Sequence, residues 1–185
     1  VERRWKSWQK HREGAEQNAY VPQLEFIAHV VEYVIWVYGM VKTKQGYKPL
    51  RPEVPLYGPT FIPPSYMHEQ LRNGLKTTVA PETTYLKVVT IIHPLYFPQL
   101  QKCPRCGTTK ESDLSWTGWS TTGHCEVHGV DREETALGCQ LRCLVCKKTA
   151  TSQQLTKKNG EGSYCFSTTN HTFWEKYEHW QIPGE

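Results

Sequence analysis

The chain has 185 residues, 38% of them hydrophobic and 22% charged, a balance that excludes a disordered or fibrous polypeptide and leaves room for one large domain or two small ones. Its net charge of +4 is compatible with a polyanionic partner, but the cations are spread along the chain and form no basic stripe. Seven Trp, ten Tyr and five Phe are dense enough to fill a core or to offer stacking surfaces.

Residues 1–20 are polar, with Arg3, Arg4, Lys6, Lys10 and Arg12 around Trp5 and Trp8, and read as a basic arm, a short helix or a solvated leader. They carry no signal-peptide pattern, and a first residue of Val reads as a piece of a longer protein or a processed product. Pro22 to Tyr38 is the best helix candidate. Leu24, Ile27, Val31, Val34, Ile35 and Tyr38 keep helical spacing, and Phe26, Val30, Tyr33 and Val37 make a second apolar stripe. Glu25, His29 and Glu32 form a narrow polar stripe, read as a wetted edge. Pro22 suits the first turn and Gly39 the stop. The run from Leu24 to Met40 is short and holds those three polar residues, so no membrane span is expected.

Pro49, Pro52, Pro55, Pro59, Pro63 and Pro64 rule out a central strand or helix over 41–64. The segment is too apolar for a free linker and reads as an ordered, extended strap over a core. Ser65 is placed to cap a short helix through Asn73, with Gly74 as its stop. Thr83 to Ile92 reads as a strand, apolar on both faces and therefore central. Domain organisation follows: an N-terminal helical and Pro-rich part, 1–100, and a C-terminal module, 101–185, packed as one unit.

The C-terminal half contains Cys103-Pro104-Arg105-Cys106-Gly107 and Cys143-Leu144-Val145-Cys146-Lys147-Lys148. Two thiolates two residues apart bind one ion from a tight turn, and the following Gly permits the turn's left-handed position. The 36 residues between Cys106 and Cys143 are easily filled by strands, with Leu114 to Ser120 and Thr135 to Arg142 as candidates. The expectation is one structural zinc ion on Cys103, Cys106, Cys143 and Cys146 in an α+β protein: a zinc-ribbon-like β module packed against a mostly helical and irregular N-terminal half. Catalytic zinc keeps an open position for water, and four Cys leave none. A deaminase would want Pro before its Cys-x-x-Cys, where this chain has Lys102.

Paired Cys-x-x-Cys motifs fit a reducing compartment with metal better than a disulfide framework, so the chain is expected inside the cell, in the nucleus. Cys125, Cys139 and Cys165 remain, with His128 and His171 nearby. They are either a second metal site of irregular spacing or buried thiols and surface His. Gly123 to Val130 reads as a turn-rich connection, with His128 either a phosphate contact or a structural donor. Trp116 and Trp119 either stack bases or pack over the metal site. Asn170 is placed to cap a last helix, His171 to Trp180, with an aromatic face.

The runs Tyr85-Leu86-Lys87, His93-Pro94-Leu95-Tyr96-Phe97-Pro98, Cys103-Pro104-Arg105-Cys106, Gly118-Trp119, Val127-His128-Gly129, Glu134-Thr135-Ala136-Leu137-Gly138 and Leu141-Arg142-Cys143 together resemble a Cys-rich domain of unknown function. That domain belongs to proteins of mushroom-forming fungi (basidiomycetes), some of them near mobile-element transposases or nucleases. The resemblance covers about residues 60–185, and its more specific motifs are the Val-His-Gly and Glu-Thr-Ala-Leu-Gly runs. It implies a zinc-dependent module facing DNA, with no activity to carry over. Cys125 and Cys139 fall outside the pattern, which argues against a second metal.

The leading expectation is therefore a zinc-stabilised DNA-binding module of a larger, transposon-related protein. Arg105, Lys110, Arg142, Lys147 and Lys148 are the candidate phosphate contacts, with Trp116, Trp119 and His128 beside them. A protein-interaction or scaffold module is the first alternative. A metal-dependent nuclease is the second, with Glu126, Asp131, Glu133 and Glu134 as candidate Mg²⁺ ligands whose spacing matches no known pattern.

Overall fold

A computed structural model describes residues 17–43, 46–47, 50–63, 86–121, 123–128, 133–155, 161–170 and 173. Residues 1–16 of the basic arm, the Ser65–Asn73 helix with Gly74, and all of the 171–180 helix except Phe173 lie outside the described residues, while 17–20 belong to the first helix.

Helix α1 spans Gln17–Val41, and helix α2 spans Leu144–Ser152. The strands are β1 (Lys42–Thr43), β2 (Gly46–Tyr47), β3 (Thr60–Phe61), β4 (Val88–Ile92), β5 (Leu114–Trp119), β6 (Cys125–His128), β7 (Glu133–Cys143) and β8 (Cys165–Ser167). β1 and β2 pair with each other. The rest form one sheet in the order β3-β4-β7-β5, with β6 and β8 also on β7. Helices and sheet together make the chain α+β, as expected.

The chain divides into two compact units. One holds Ile91–Cys125 and the chain from Ala136 onward; the other holds the chain through Thr90 together with Glu126–Thr135. The division thus falls inside β4 and β7.

In the second of these units α1 starts at Gln17, so Pro22 sits inside the helix and not in its first turn. The ring removes one N–H from the ladder there. Gly39 does not stop the helix, which runs on to the buried Val41. Ile27, Val30, Val31, Val34 and Val37 are buried, while Glu25, His29 and Glu32 are exposed, as the wetted edge required. The exposed face continues through Trp36 and through Ile35, which the periodicity had put in an apolar stripe. By length and composition alone, the 20 residues Pro22–Val41 at hydropathy 1.5 meet the requirement for crossing a bilayer. The three polar residues, gathered in one narrow stripe, leave that average high, and the core helix of a soluble protein passes the same measure.

Gln23 in α1 holds the backbone of Lys87 on both sides. Its Nε2 donates to the Lys87 carbonyl at 3.2 Å, and the Lys87 N–H donates to its Oε1 at 2.7 Å. In the Pro-rich segment, residues 50–63 are described, and α1 holds them. Tyr33 Oη donates to the Pro55 carbonyl at 2.9 Å and accepts from the Tyr57 N–H at 2.7 Å. The short β3 pairs antiparallel with β4 through Thr60↔Thr90 and Phe61↔Val89.

All five residues of β4 are buried, which is the expected central strand. β5 and β7 match the two predicted strands, paired antiparallel from Leu114↔Cys143 to Trp119↔Cys139, with a register shift between Trp116 and Trp119. β6 corrects the turn-rich reading of 123–130 over Cys125–His128, where alternation of half-buried and exposed residues makes a strand.

Candidate metal centre

The first Cys pair is shaped by its own backbone. The Cys103 N–H donates to the Thr108 carbonyl at 2.9 Å, and the Gly107 N–H donates to the Cys103 carbonyl at 2.9 Å. Gly107 has φ +73°, the left-handed position for which glycine was expected. The second pair is built differently from the expected ribbon. Cys143 ends β7, its N–H bonded to the Tyr164 carbonyl at 2.8 Å, and Cys146 lies in the first turn of α2. Cys143 also caps that helix, its Sγ accepting from the Cys146 N–H at 3.5 Å. The positive end of α2 therefore faces the sulfurs.

The four sulfurs lie within 4.8 Å of one another. Cys103 and Cys146 are 3.7 Å apart, and Cys106 and Cys143 are 3.6 Å apart. Four thiolates each ~2.3 Å from one ion stand ~3.8 Å apart at the corners of a tetrahedron. A disulfide would bring two of them to ~2.05 Å, and all seven Cys are free thiols. The spacing thus suits a shared metal ion such as zinc. Four protein ligands fill a tetrahedral shell, so the site is suited to holding structure together and not to activating water.

Three of these residues, Cys103, Cys143 and Cys146, are buried, with Leu114, Tyr164 and Phe166 packed against them. Burial pushes the Cys103 thiol up to about 11 and raises Cys146 as well. For Cys106 burial also works upward, but the Thr108 backbone and the three neighbouring thiols outweigh it and hold it below the ordinary thiol range. The group without metal therefore keeps protons at neutral pH that a metal ion would displace.

Of the proposed phosphate contacts, Arg105 and Arg142 are engaged inside this unit. Arg105 donates to the Glu161 carbonyl, and its guanidinium stands 6.0 Å from the Phe166 ring centre. Arg142 stands 5.7 Å from the Tyr164 ring centre, and its buried Nε has no hydrogen-bond partner among the described residues. Lys110 and Lys148 are exposed and Lys147 is half-buried. Trp119 is only 4% exposed, 5.9 Å from the His93 ring, which makes it a core residue. Trp116, half-buried and 6.4 Å from His93, is the more accessible of the pair.

His128 belongs to the other unit. It is exposed, with Nδ1 3.4 Å from Glu133, and Lys87 lies 2.6 Å from Glu133 and 3.5 Å from Glu126. Lys87, by hydrogen bond and charge, holds the Glu133 carboxyl below its usual range.

Among the described residues the four Cys are the only His, Cys, Asp or Glu side chains gathered at metal-binding distance. Cys125, Cys139, Cys165 and His128 join no second group, and His171 lies outside the described residues. Cys139 is buried, its thiol donating to the Ile92 carbonyl at 3.5 Å, and burial pushes its pKa up.

Sequence reasoning missed Tyr164 and Phe166, which pack against the site from just before β8 and from its middle. The alternation Tyr164-Cys165-Phe166 was the available signal for that strand, which pairs with β7 as Arg142↔Cys165 and Leu141↔Phe166. No known protein family, curated protein or solved structure matches the chain.

Proposed function

We propose that this chain is a zinc-stabilised DNA-binding module of a larger, transposon-related nuclear protein. The observation that carries the metal part is the convergence of four thiols, from two Cys pairs far apart in the chain, to within 4.8 Å of one another. A soft, all-sulfur donor set with no open position favours zinc, which has no redox chemistry to disturb a structural role.

The nucleic-acid part rests on the cations displayed by the elements that carry those thiols. Lys110 follows the first turn, and Lys147 and Lys148 lie on α2. Arg105 and Arg142, fixed against aromatic rings, present guanidinium groups already ordered for phosphate. Trp116 is the side chain assigned to contact a base or read shape.

The test is a salt-titrated binding assay on zinc-quantified protein with double-stranded, single-stranded and methylated DNA and with RNA. Each phosphate neutralised contributes a slope of about −0.9 in log K against log salt on duplex DNA. Lys147→Glu with Lys148→Glu should flatten the slope by about 1–2. Zinc-loaded protein that binds no nucleic acid, or binds without regard to salt, rejects this reading.

A scaffold role has one observation in its favour, within the unit that contains α1. Trp36 is 51% exposed, Tyr57 60% and Ile62 56%, with the Tyr33 ring between Trp36 and Tyr57 at centroid distances of 6.2 and 5.8 Å. Self-association in sedimentation, lost in Trp36→Ala with the fold intact, would favour it. For the nuclease reading, Glu126 and Glu133 are tied to Lys87 and Glu134 is buried, so the described acids gather no metal-binding group.

A further inference from the structure

We infer that Cys106 is the oxidation site of the metal centre, and that attack there by a hydroperoxide joins it to Cys143 and expels the ion. This inference rests on the metal reading of the four thiols given above.

The four ligands differ in access. Cys103 and Cys143 are 0% exposed and Cys146 is 5% exposed, beneath Leu114, Tyr164 and Phe166. Cys106 is exposed. The backbone explains the difference. Cys143 ends a buried strand and Cys146 lies on the buried side of α2, whereas Cys106 sits on the outer bend of its turn between the exposed Arg105 and Gly107. Arg105 is drawn aside to the Glu161 carbonyl and the Phe166 ring. A small polar oxidant therefore meets one ligand before the other three.

Cys143 is taken as the second partner by contact and by connection: its Sγ lies 3.6 Å from Cys106 Sγ, as Cys146 lies 3.7 Å from Cys103, and a bond between Cys106 and Cys143 links the two turns to each other. Closing from that distance to ~2.05 Å needs a sulfur movement of about 1.5 Å, within reach of a side-chain rotation.

The steps balance with a hydroperoxide as oxidant. The Cys106 thiolate attacks one peroxide oxygen, the O–O bond breaks, a sulfenic acid forms and hydroxide leaves. The Cys143 thiolate then attacks the sulfenic sulfur, the S–O bond breaks and a second hydroxide leaves. Two thiolates are oxidised by two electrons in all, peroxide is reduced, and two solvent protons turn the hydroxides into water. Cys103 and Cys146 alone remain as ligands, too few to retain the ion.

The full chain loaded with zinc is titrated with hydrogen peroxide while released zinc is followed with a chromogenic chelator and disulfides are mapped by mass spectrometry. The expected result is one zinc released per disulfide, the bond mapping to Cys106–Cys143, and reversal by dithiothreitol. Cys165→Ser, which removes the other exposed thiol, should release zinc at the wild-type rate. Zinc retained while Cys165 is oxidised overturns the inference, as does a first disulfide within one turn or at Cys125. A chain that takes up no zinc overturns the metal reading itself and this inference with it. Zinc bound but not released by peroxide overturns the inference alone.

Discussion

At Gly138 there is room for a hydrogen and nothing larger. A Cβ there would lie 2.6 Å from Thr168 Oγ1, 2.6 Å from Thr169 Cγ2 and 3.0 Å from the Thr169 nitrogen. Thr168 Oγ1 donates to the Ile92 carbonyl at 2.8 Å and accepts from the Cys139 N–H at 3.0 Å, in a residue fully buried. Gly138→Ala must push this hydroxyl off its partners, at a cost of about 1–3 kcal/mol, to be read in urea unfolding with zinc held constant. The thiols predict a second effect at this scale. Cys103 is pushed up to about 11 and Cys146 is raised, so metal binding at pH 7 displaces at least their two protons. Apparent zinc affinity should therefore rise about 100-fold per pH unit between pH 6 and 8 in competition titrations. The metal-free fold shows the opposite trend. A raised Cys103 pKa favours the folded protein below the ordinary thiol value, and that advantage is lost as pH rises through about 11. The four ligands were legible in the sequence because Cys-x-x-Cys spacing is a local property. The aromatic cover was not, since Tyr164 and Phe166 reach the site through strand pairing with β7.

Elements were legible where the pattern was long. α1, β4, β5 and β7 announce themselves by periodicity, and their errors lie at the ends: α1 starts before Pro22 and passes Gly39. β6 has four residues and α2 nine, too few for a period to stand out, and α2 owes its start to the Cys143 cap and not to an apolar face. The bond between α1 and the chain entering β4 was illegible for another reason. Gln23 stands 64 positions from Lys87 and looks like an ordinary polar residue near a helix start. It is 8% exposed and satisfies one N–H and one C=O at once. Gln23→Ala should strand both groups and destabilise the protein by about 1–3 kcal/mol for each that water cannot reach. Hydrogen exchange at the Lys87 amide should accelerate with it.

At the scale of the whole molecule, the metal centre and the unit around it stand or fall together. Its sulfur cluster is small, three buried Cys with Leu114, Tyr164 and Phe166, which is little apolar surface to hold two turns and a helix start without an ion. Zinc at about 1,000 times its dissociation constant adds about 4 kcal/mol to the folded state. Chelation should then lower the melting midpoint by roughly 8–16 °C for a chain of this size, with one zinc lost per chain in elemental analysis. An unchanged midpoint in protein shown to lose its zinc would remove the structural role.

The two ligand pairs also define a mechanical property. An ion held by all four Cys closes the 42 residues between the outer ligands, Cys103 and Cys146, into a loop that a force applied at the two chain ends does not stretch. When the ion lets go, that hidden length pays out at once, ~14–15 nm for a stretch of this size fully extended. A single molecule pulled from its ends would show this as a discrete step when zinc is present and as none after chelation, so the centre acts as a releasable latch on chain length.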